Sequence, residues 1–166
     1  MAYGTEEGFA QWLASQGLAL PVGAPTPAVL REIGSIYVDA AYGHKLTCSS
    51  KTGGVAQEMA WPRKNHVLNG EVVPHDYIPT AWVHAAYRAG YLSAVTPGWA
   101  TAGTDASRLT KREKVEGAVE REFFSQAENA GAASAPGMPS DSIINGLVLP
   151  WLCANVRSAA SLLRVV

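Results

Sequence analysis

The segment between Thr26 and Gly43 constrains the fold of this chain more than any other. Thr26 can cap a helix and Pro27 suits the first helical position, whereas Gly43 is a natural C-terminal stop. Apolar side chains recur between them at helical spacing, with one face traced by Leu30, Ile33, Tyr37 and Ala40, and with Val29 and Ile36 beside it. The pattern predicts an amphipathic helix that ends near Tyr42.

Three further segments have helical signals. Residues 5–16 begin at a capping Thr5, and residues 79–95 open at Pro79. A short apolar helix follows Ser140-Asp141, and Pro150 kinks or ends it. Val67–Val73 reads as a tight turn or hairpin with Asn69-Gly70 at its tip. The predicted fold is therefore mainly α with a small β-hairpin element, a compact helical bundle plus an extended C-terminal tail.

Residues 108–124 can form a hairpin or a helix. A three-residue loop at 116–118 sets Val115 opposite Val119 and aligns three pairs of opposite charge, which are Lys114 with Glu120, Glu113 with Arg121 and Arg112 with Glu122. Each such pair is worth roughly 0.2–1 kcal/mol. A two-residue loop would instead place Glu113 against Glu120, and a helix would bury Gly117 in mid-element. We predict a hairpin that projects because its tip is charged on both faces.

The domain organisation follows from composition. Residues 1–125 are expected to form the helical domain with the hairpin, residues 126–139 a flexible Ala/Gly/Pro-rich linker, and residues 140–166 a C-terminal helix and tail. The tail after Pro150 contains two arginines and no acid, and it ends in apolar residues. Apolar tails of this kind typically occupy a groove or a sheet edge.

Charge and cysteine content limit the classes of function. The net charge of −1 does not polarise strongly along the chain, which argues against autonomous DNA binding, because phosphate neutralisation needs a basic face. No apolar run approaches the length of a membrane span, and no targeting segment is evident. With only Cys48 and Cys153, we expect reduced thiols in a cytoplasmic or particle-borne protein.

Signals for catalysis are weak throughout. The four histidines do not have metal-ligand spacing, and neither a nucleophile elbow nor a phosphate-binding loop is present. We therefore expect no enzyme activity, no metal and no cofactor. Among the five tryptophans only Trp61, in Trp61-Pro62-Arg63-Lys64, adjoins cations as base stacking on single strands requires. The alternative is a structural turn with Trp61 buried and Arg63 capping a helix end.

The order of several motifs resembles a known family. Gln57–Arg63, which contains the Trp61-Pro62-Arg63 motif, precedes a Gly-containing turn, the helix opened by Ile78-Pro79, the Leu109–Val115 strand and a small-residue linker before Ile143–Leu152. This series is similar to a phage family labelled DnaT-like single-stranded-DNA-binding protein, whose members resemble head–tail connector, or adaptor, proteins. The resemblance implies a helical domain that forms a dodecameric ring beneath the portal and around the DNA channel.

Two functions follow as hypotheses. The first is a structural subunit of the phage neck, assembled in the host cytoplasm and located in the virion. Its partners would be copies of itself, the portal protein, the next neck or tail-completion protein and passing double-stranded DNA, with no membrane. The resemblance implies a portal-docking tail with Val156, Arg157, Leu162, Leu163, Arg164 and Val165. Subunit contacts or the channel lining would involve Lys111, Arg112, Glu113, Lys114, Glu120, Arg121 and Glu122.

The second hypothesis is a single-stranded-DNA-binding replication accessory protein. It would use an aromatic side chain together with cations, namely Trp61, Arg63, Lys64, Lys111, Arg112 and Lys114. Salt-dependent affinity for single strands would distinguish it from a neck subunit, because each neutralised phosphate releases counterions.

Overall fold

Two sixteen-residue helices, α2 (Pro27–Tyr42) and α3 (Thr80–Val95), pack against each other at the centre of the fold. The computed structural model describes residues 1–101, 110–115, 119–123 and 138–153, and for 110–115 and 119–123 it describes the backbone alone. Helix α2 begins at Pro27 and ends at Tyr42, as predicted, although the Thr26 side chain makes no capping hydrogen bond. Both helices place small residues where they meet, so their backbones approach closely.

The closest approach of α2 and α3 occurs at Gly34 and Gly90. A Cβ atom added to Gly34 would lie 2.0 Å from the carbonyl oxygen of Ala86, and one added to Gly90 would lie 2.5 Å from the carbonyl oxygen of Leu30. Only glycine fits at either position. The buried face of α2 is consequently centred on this crossing.

Because of this crossing, the buried face of α2 differs from the predicted one. The buried positions are Leu30, Gly34, Ser35, Tyr37, Val38, Ala41 and Tyr42. Ile33 is only half-buried and Ala40 is exposed, so the prediction was wrong for these two residues. The hydrophobic pattern could not show the crossing because Gly34 has no side chain.

Helix α1 (Glu6–Ser15) covers one end of the α2–α3 pair. The side chain of Thr5 accepts a hydrogen bond from the Gly8 amide at 3.0 Å, which satisfies one free donor of the first turn. Its apolar face joins a cluster of buried side chains formed by Phe9, Trp12, Leu13, Leu30, Tyr87 and Ala94. The N-terminal helix is therefore part of the core.

Helix α4 (Ser142–Val148) packs on α3. Asp141 caps it by accepting hydrogen bonds from the amides of Ile143 and Ile144, both at 3.0 Å, and it also pairs with Arg88 at 3.2 Å. Ile144 and Val148 are fully buried. The predicted linker core, residues 126–137, and the tail after Cys153 lie outside the described residues.

Three antiparallel strand pairs complete the described fold. Strand β1 (Ser50–Lys51) pairs with β2 (Arg63–Lys64), and β3 (Val67–Leu68) pairs with β4 (Glu71–Val72). The turn between β3 and β4 has positive φ at both Asn69 and Gly70, as the Asn-Gly signal predicts. Strands β5 (Thr110–Val115) and β6 (Val119–Phe123) form the third pair.

The register of β5 and β6 is the one that charge pairing predicts. Val115 lies opposite Val119, and the three opposite-charge pairs follow in order, Lys114–Glu120, Glu113–Arg121 and Arg112–Glu122. The fold class of a mainly α protein with small hairpins is confirmed. No helix in the described part of the chain is long and apolar enough to span a membrane.

Candidate functional site

The Trp61-Pro62-Arg63 motif lies at the centre of the core. The Trp61 side chain is 1% exposed, and its ring makes edge contacts with Trp82 and Trp151 at centroid distances of 6.1 and 5.8 Å. The peptide bond before Pro62 is cis. Because the Trp61 ring is enclosed by other rings, it does not offer a face to a nucleobase.

Arg63 is buried and uses its guanidinium inside the protein. It donates hydrogen bonds to the carbonyl oxygens of Leu46, at 2.7 Å, and Ala60, at 3.0 Å, and also to the backbone and side-chain oxygens of Ser49. Burial lowers the pKa of Arg63. The side chain ties the loop after α2 to the segment before β2, and its charge is not presented to solvent.

Asp39 joins three distant parts of the chain. Its carboxylate accepts hydrogen bonds from the Tyr3 hydroxyl at 2.7 Å, the Ala60 amide at 2.7 Å and the Trp82 indole N–H at 3.0 Å. Burial nevertheless raises the pKa of Asp39, because desolvation outweighs these three donors. The one sign of this junction in the amino-acid sequence is an acidic residue within an apolar helix.

Several other cations bind their own chain. Arg31 donates to the backbone oxygens of Tyr3 and Gly4, and Lys51 donates to the backbone oxygens of Gln57 and Glu58 at 2.7 and 3.0 Å. The exposed Lys64, by contrast, lies on the short strand β2. Much of the positive charge in the described side chains is thus used for internal contacts, so a phosphate-binding face does not form there.

An apolar groove lies between the α1–α2 connector and the C-terminal end of α3. It has a volume of about 590 Å³, and its lining consists of Pro21, Val22, Gly23, Ala24, Pro25, Ile33, Ser93, Ala94, Val95, Pro97, Gly98, Ala100 and Thr101. The lining contains no charged residue. Val22 is fully exposed at its rim.

The groove continues into an exposed apolar stripe on α2. Val29, Ile33 and Ile36 are spaced four and three residues apart and therefore share one face of the helix. Val29 is 45% and Ile36 is 61% exposed. Contiguous exposed apolar surface of this kind marks interaction sites. The two residues were expected beside the core face, and their exposure became apparent only in the structure.

His66 is the most buried of the histidines. It is 1% exposed, its Nδ1 lies 3.1 Å from the Ser49 hydroxyl, and its ring contacts Trp61. Burial and the neighbouring Arg63 lower its pKa. Within the described residues no group of three His, Cys, Asp or Glu side chains is arranged to hold a metal ion.

Cys48 and Cys153 form a disulfide, so the expectation of reduced thiols was wrong. Their Cα atoms are 5.6 Å apart although the residues are 105 positions apart in sequence. Sequence spacing could not reveal the pair, because it depends on the packing of the C-terminal segment against the loop after α2.

Other predicted site residues fall where side-chain geometry is not described. For the hairpin set, Lys111, Arg112, Glu113, Lys114, Glu120, Arg121 and Glu122, the structure gives strand positions only. The tail set, Val156, Arg157, Leu162, Leu163, Arg164 and Val165, lies outside the described residues. Both sets stay predictions.

A comparison with protein families identifies the group to which this sequence belongs. A family model described as "Putative DnaT-like ssDNA binding protein" matches residues 2–166. The chain belongs to this family. No curated protein and no solved structure matches the chain. The match includes the Trp61-Pro62-Arg63 motif and the β5–β6 hairpin, the features from which the resemblance was inferred.

Proposed function

We propose that this chain is a non-enzymatic, DNA-associated subunit that acts as an oligomer. The observation that carries the DNA-binding part is the family match over residues 2–166, whose description names single-stranded DNA. A single-stranded-DNA-binding accessory protein is therefore the first candidate.

The core geometry favours electrostatic contact with DNA over base stacking. Trp12, Trp61 and Trp82 are buried in the core, so none of them offers a stacking face. Strand β5 instead brings Lys111, Arg112 and Lys114 into one short hairpin, in which Arg112 and Lys114 lie at positions opposite Glu122 and Glu120. Cations on a β-ribbon can follow a phosphate backbone, and the affinity then depends steeply on salt. We assign the DNA contact to this strand.

The test is fluorescence anisotropy of a labelled oligothymidine titrated with the full chain at several salt concentrations. We expect binding that weakens with salt, and a variant with Lys111, Arg112 and Lys114 changed to Gln should flatten the slope by about 2, at roughly 0.7 per phosphate contact. Lys64→Gln, an exposed cation outside the hairpin, is the matched control and should leave the slope nearly unchanged. Absence of binding at low salt refutes the first candidate.

The second candidate is a ring-forming subunit of a tailed-phage neck. The observation that favours it is the apolar groove together with the exposed stripe of Val29, Ile33 and Ile36. Neighbours in a ring contact each other through two different faces, so each subunit must expose one patch that fits another. Other apolar side chains are also exposed and are candidates for the opposing face, namely Val67, Val72 and Ile143. In this role the protein would be located in the virion.

Light scattering and negative-stain microscopy test the neck assignment. We expect the full chain, alone or mixed with purified portal rings, to form closed rings, and Ile36→Asp to reduce their number. Gln11→Asp, which places the same charge at an exposed position on α1, should not affect them. A chain that stays monomeric and does not associate with portal rings refutes this candidate while leaving the oligothymidine result intact.

A further inference from the structure

The disulfide between Cys48 and Cys153 lies where the described C-terminal segment meets the loop after α2. The amide of Cys153 donates to the carbonyl oxygen of Lys45 at 3.4 Å, and the amide of Cys48 lies 2.9 Å from the sulfur of Cys153. Residues 154–166 continue directly from this point. The covalent bond therefore fixes the position from which the last thirteen residues start.

The segment held by this bond otherwise rests on aromatic contacts. The Trp151 ring lies 5.8 Å from Trp61, 6.4 Å from His66 and 6.1 Å from Tyr77, measured between centroids. Trp151 is only half-buried, and Leu149 before it is 53% exposed. In residues 149–153 only Trp151 and Leu152 pack against the core, and both are only partly buried. Segments with so few buried apolar contacts open locally at low free-energy cost.

The two sulfurs differ in access. Cys48 is an exposed residue and Cys153 is half-buried, so we expect a small thiol to approach the disulfide from the side of Cys48. The Cys48 sulfur lies 4.0 Å from Nδ1 of His66.

We propose that Cys48–Cys153 is a reversible thiol–disulfide latch that controls the attachment of residues 149–153, and with it the start of the C-terminal tail. In the reducing direction, a thiolate of a small dithiol attacks the Cys48 sulfur. The bond to Cys153 breaks, and Cys153 leaves as a thiolate that takes up a proton. The second thiol of the reagent then closes its own disulfide and releases Cys48, so that the dithiol is oxidised by two electrons and the protein disulfide is reduced.

The reverse reaction needs a small disulfide as the oxidant and passes through the same mixed disulfide. The latch is thus open in a reducing compartment and closed in an oxidising one. Opening leaves the core formed by α1, α2 and α3 intact, because neither cysteine belongs to those helices. Residues 149–153 are then held by the partly buried side chains of Trp151 and Leu152 and by the single hydrogen bond from the Cys153 amide to Lys45.

Hydrogen exchange of the full chain tests the latch. The protein is oxidised with glutathione disulfide and compared with a sample reduced by dithiothreitol, with iodoacetamide labelling to count free thiols. We expect no labelled cysteine before reduction and two after it. The amides of Leu149, Trp151, Leu152 and Cys153 should exchange roughly tenfold faster or more in the reduced protein, while those of α1 stay unchanged.

The variants Cys48→Ser and Cys153→Ser should both reproduce the fast exchange without reductant, and reoxidation should restore protection only in the wild type. Two labelled thiols in the oxidised sample overturn the proposal. Equal exchange at residues 149–153 in both redox states also overturns it. An equal acceleration of exchange in α1 also overturns the proposal, because the disulfide would then stabilise the whole fold and not residues 149–153 in particular. Should either variant fail to fold, the reduced wild type decides the question.

Discussion

Replacing Gly34 by alanine tests whether the backbone contact between α2 and α3 organises the fold. The added Cβ would lie 2.0 Å from the carbonyl oxygen of Ala86 and 2.7 Å from the amide nitrogen of Gly90. These obstacles are backbone atoms of a buried helix, so no side chain can rotate to relieve them. The two helices must separate by about an ångström before the contact becomes tolerable, and packing along the whole interface loosens with them.

The packing cost of the added methyl group in Gly34→Ala should exceed the gain in helix propensity from alanine. Overpacking a core costs about 1–3 kcal/mol, whereas replacing glycine by alanine within a helix gains roughly 0.5–1 kcal/mol. Because the obstructing atoms are backbone, the cost should lie at the upper end of that range, about 3 kcal/mol, and we expect a net loss of about 2 kcal/mol in the free energy of unfolding. For a chain of this size that corresponds to a fall in Tm of roughly 4–8 °C. Urea unfolding followed by far-UV circular dichroism measures it.

Gly146 provides the matched control. It is also helical, in α4, but a Cβ at this position meets no atom within 4 Å. Gly146→Ala should therefore stabilise the protein by up to about 1 kcal/mol. If Gly34→Ala is as stable as the wild type, or matches Gly146→Ala, the close helix contact does not exist in solution.

The other predictions concern the core and the charges buried in it. Asp39→Ala leaves three donors without an acceptor, and at about 1 kcal/mol or more each the loss in urea unfolding should reach roughly 3 kcal/mol. Arg63→Lys cannot reproduce the contacts of the guanidinium and should lower Tm, whereas Lys64→Gln should change the free energy of unfolding by less than about 0.5 kcal/mol. The lowered pKa of His66 means that its contribution to stability is present above pH 6.5 and is lost as the pH falls through the pKa of the folded state. His66→Gln should weaken that acid dependence in thermal melts, and His75→Gln, at an exposed position, should not.

Local signals predicted much of the secondary structure. Thr5 caps α1, Asn69-Gly70 turns the short β3–β4 hairpin, and alternating charges set the register of β5 and β6. Each of these features depends on residues that are close in sequence. The charge pairs, for example, exclude the alternative loop without reference to the rest of the fold.

The missed features depend on residues that are far apart. Asp39 can accept hydrogen bonds from Tyr3 and Trp82 only after the helices pack. Cys48 forms its disulfide with Cys153, which is 105 positions away in the sequence. The apolar groove likewise arises from three separate segments. Ile33 was placed on one apolar face with Leu30 and Tyr37, because a hydrophobic pattern shows which positions are apolar but not which of them a neighbouring helix will cover.

The contacts of Asp39 with Tyr3 and Trp82 also affect how the chain folds during its synthesis on the ribosome. Tyr3 is synthesised 79 positions before Trp82, yet the Tyr3 hydroxyl and the Trp82 indole N–H both donate to the Asp39 carboxylate. At 5–20 residues per second, about 4–16 s separate the synthesis of these two residues. During that interval the apolar face of α1, with Phe9 and Trp12, has no α3 to cover it. Nascent chains should therefore engage a hydrophobic-binding chaperone before residue 82 emerges and release it once α3 has formed.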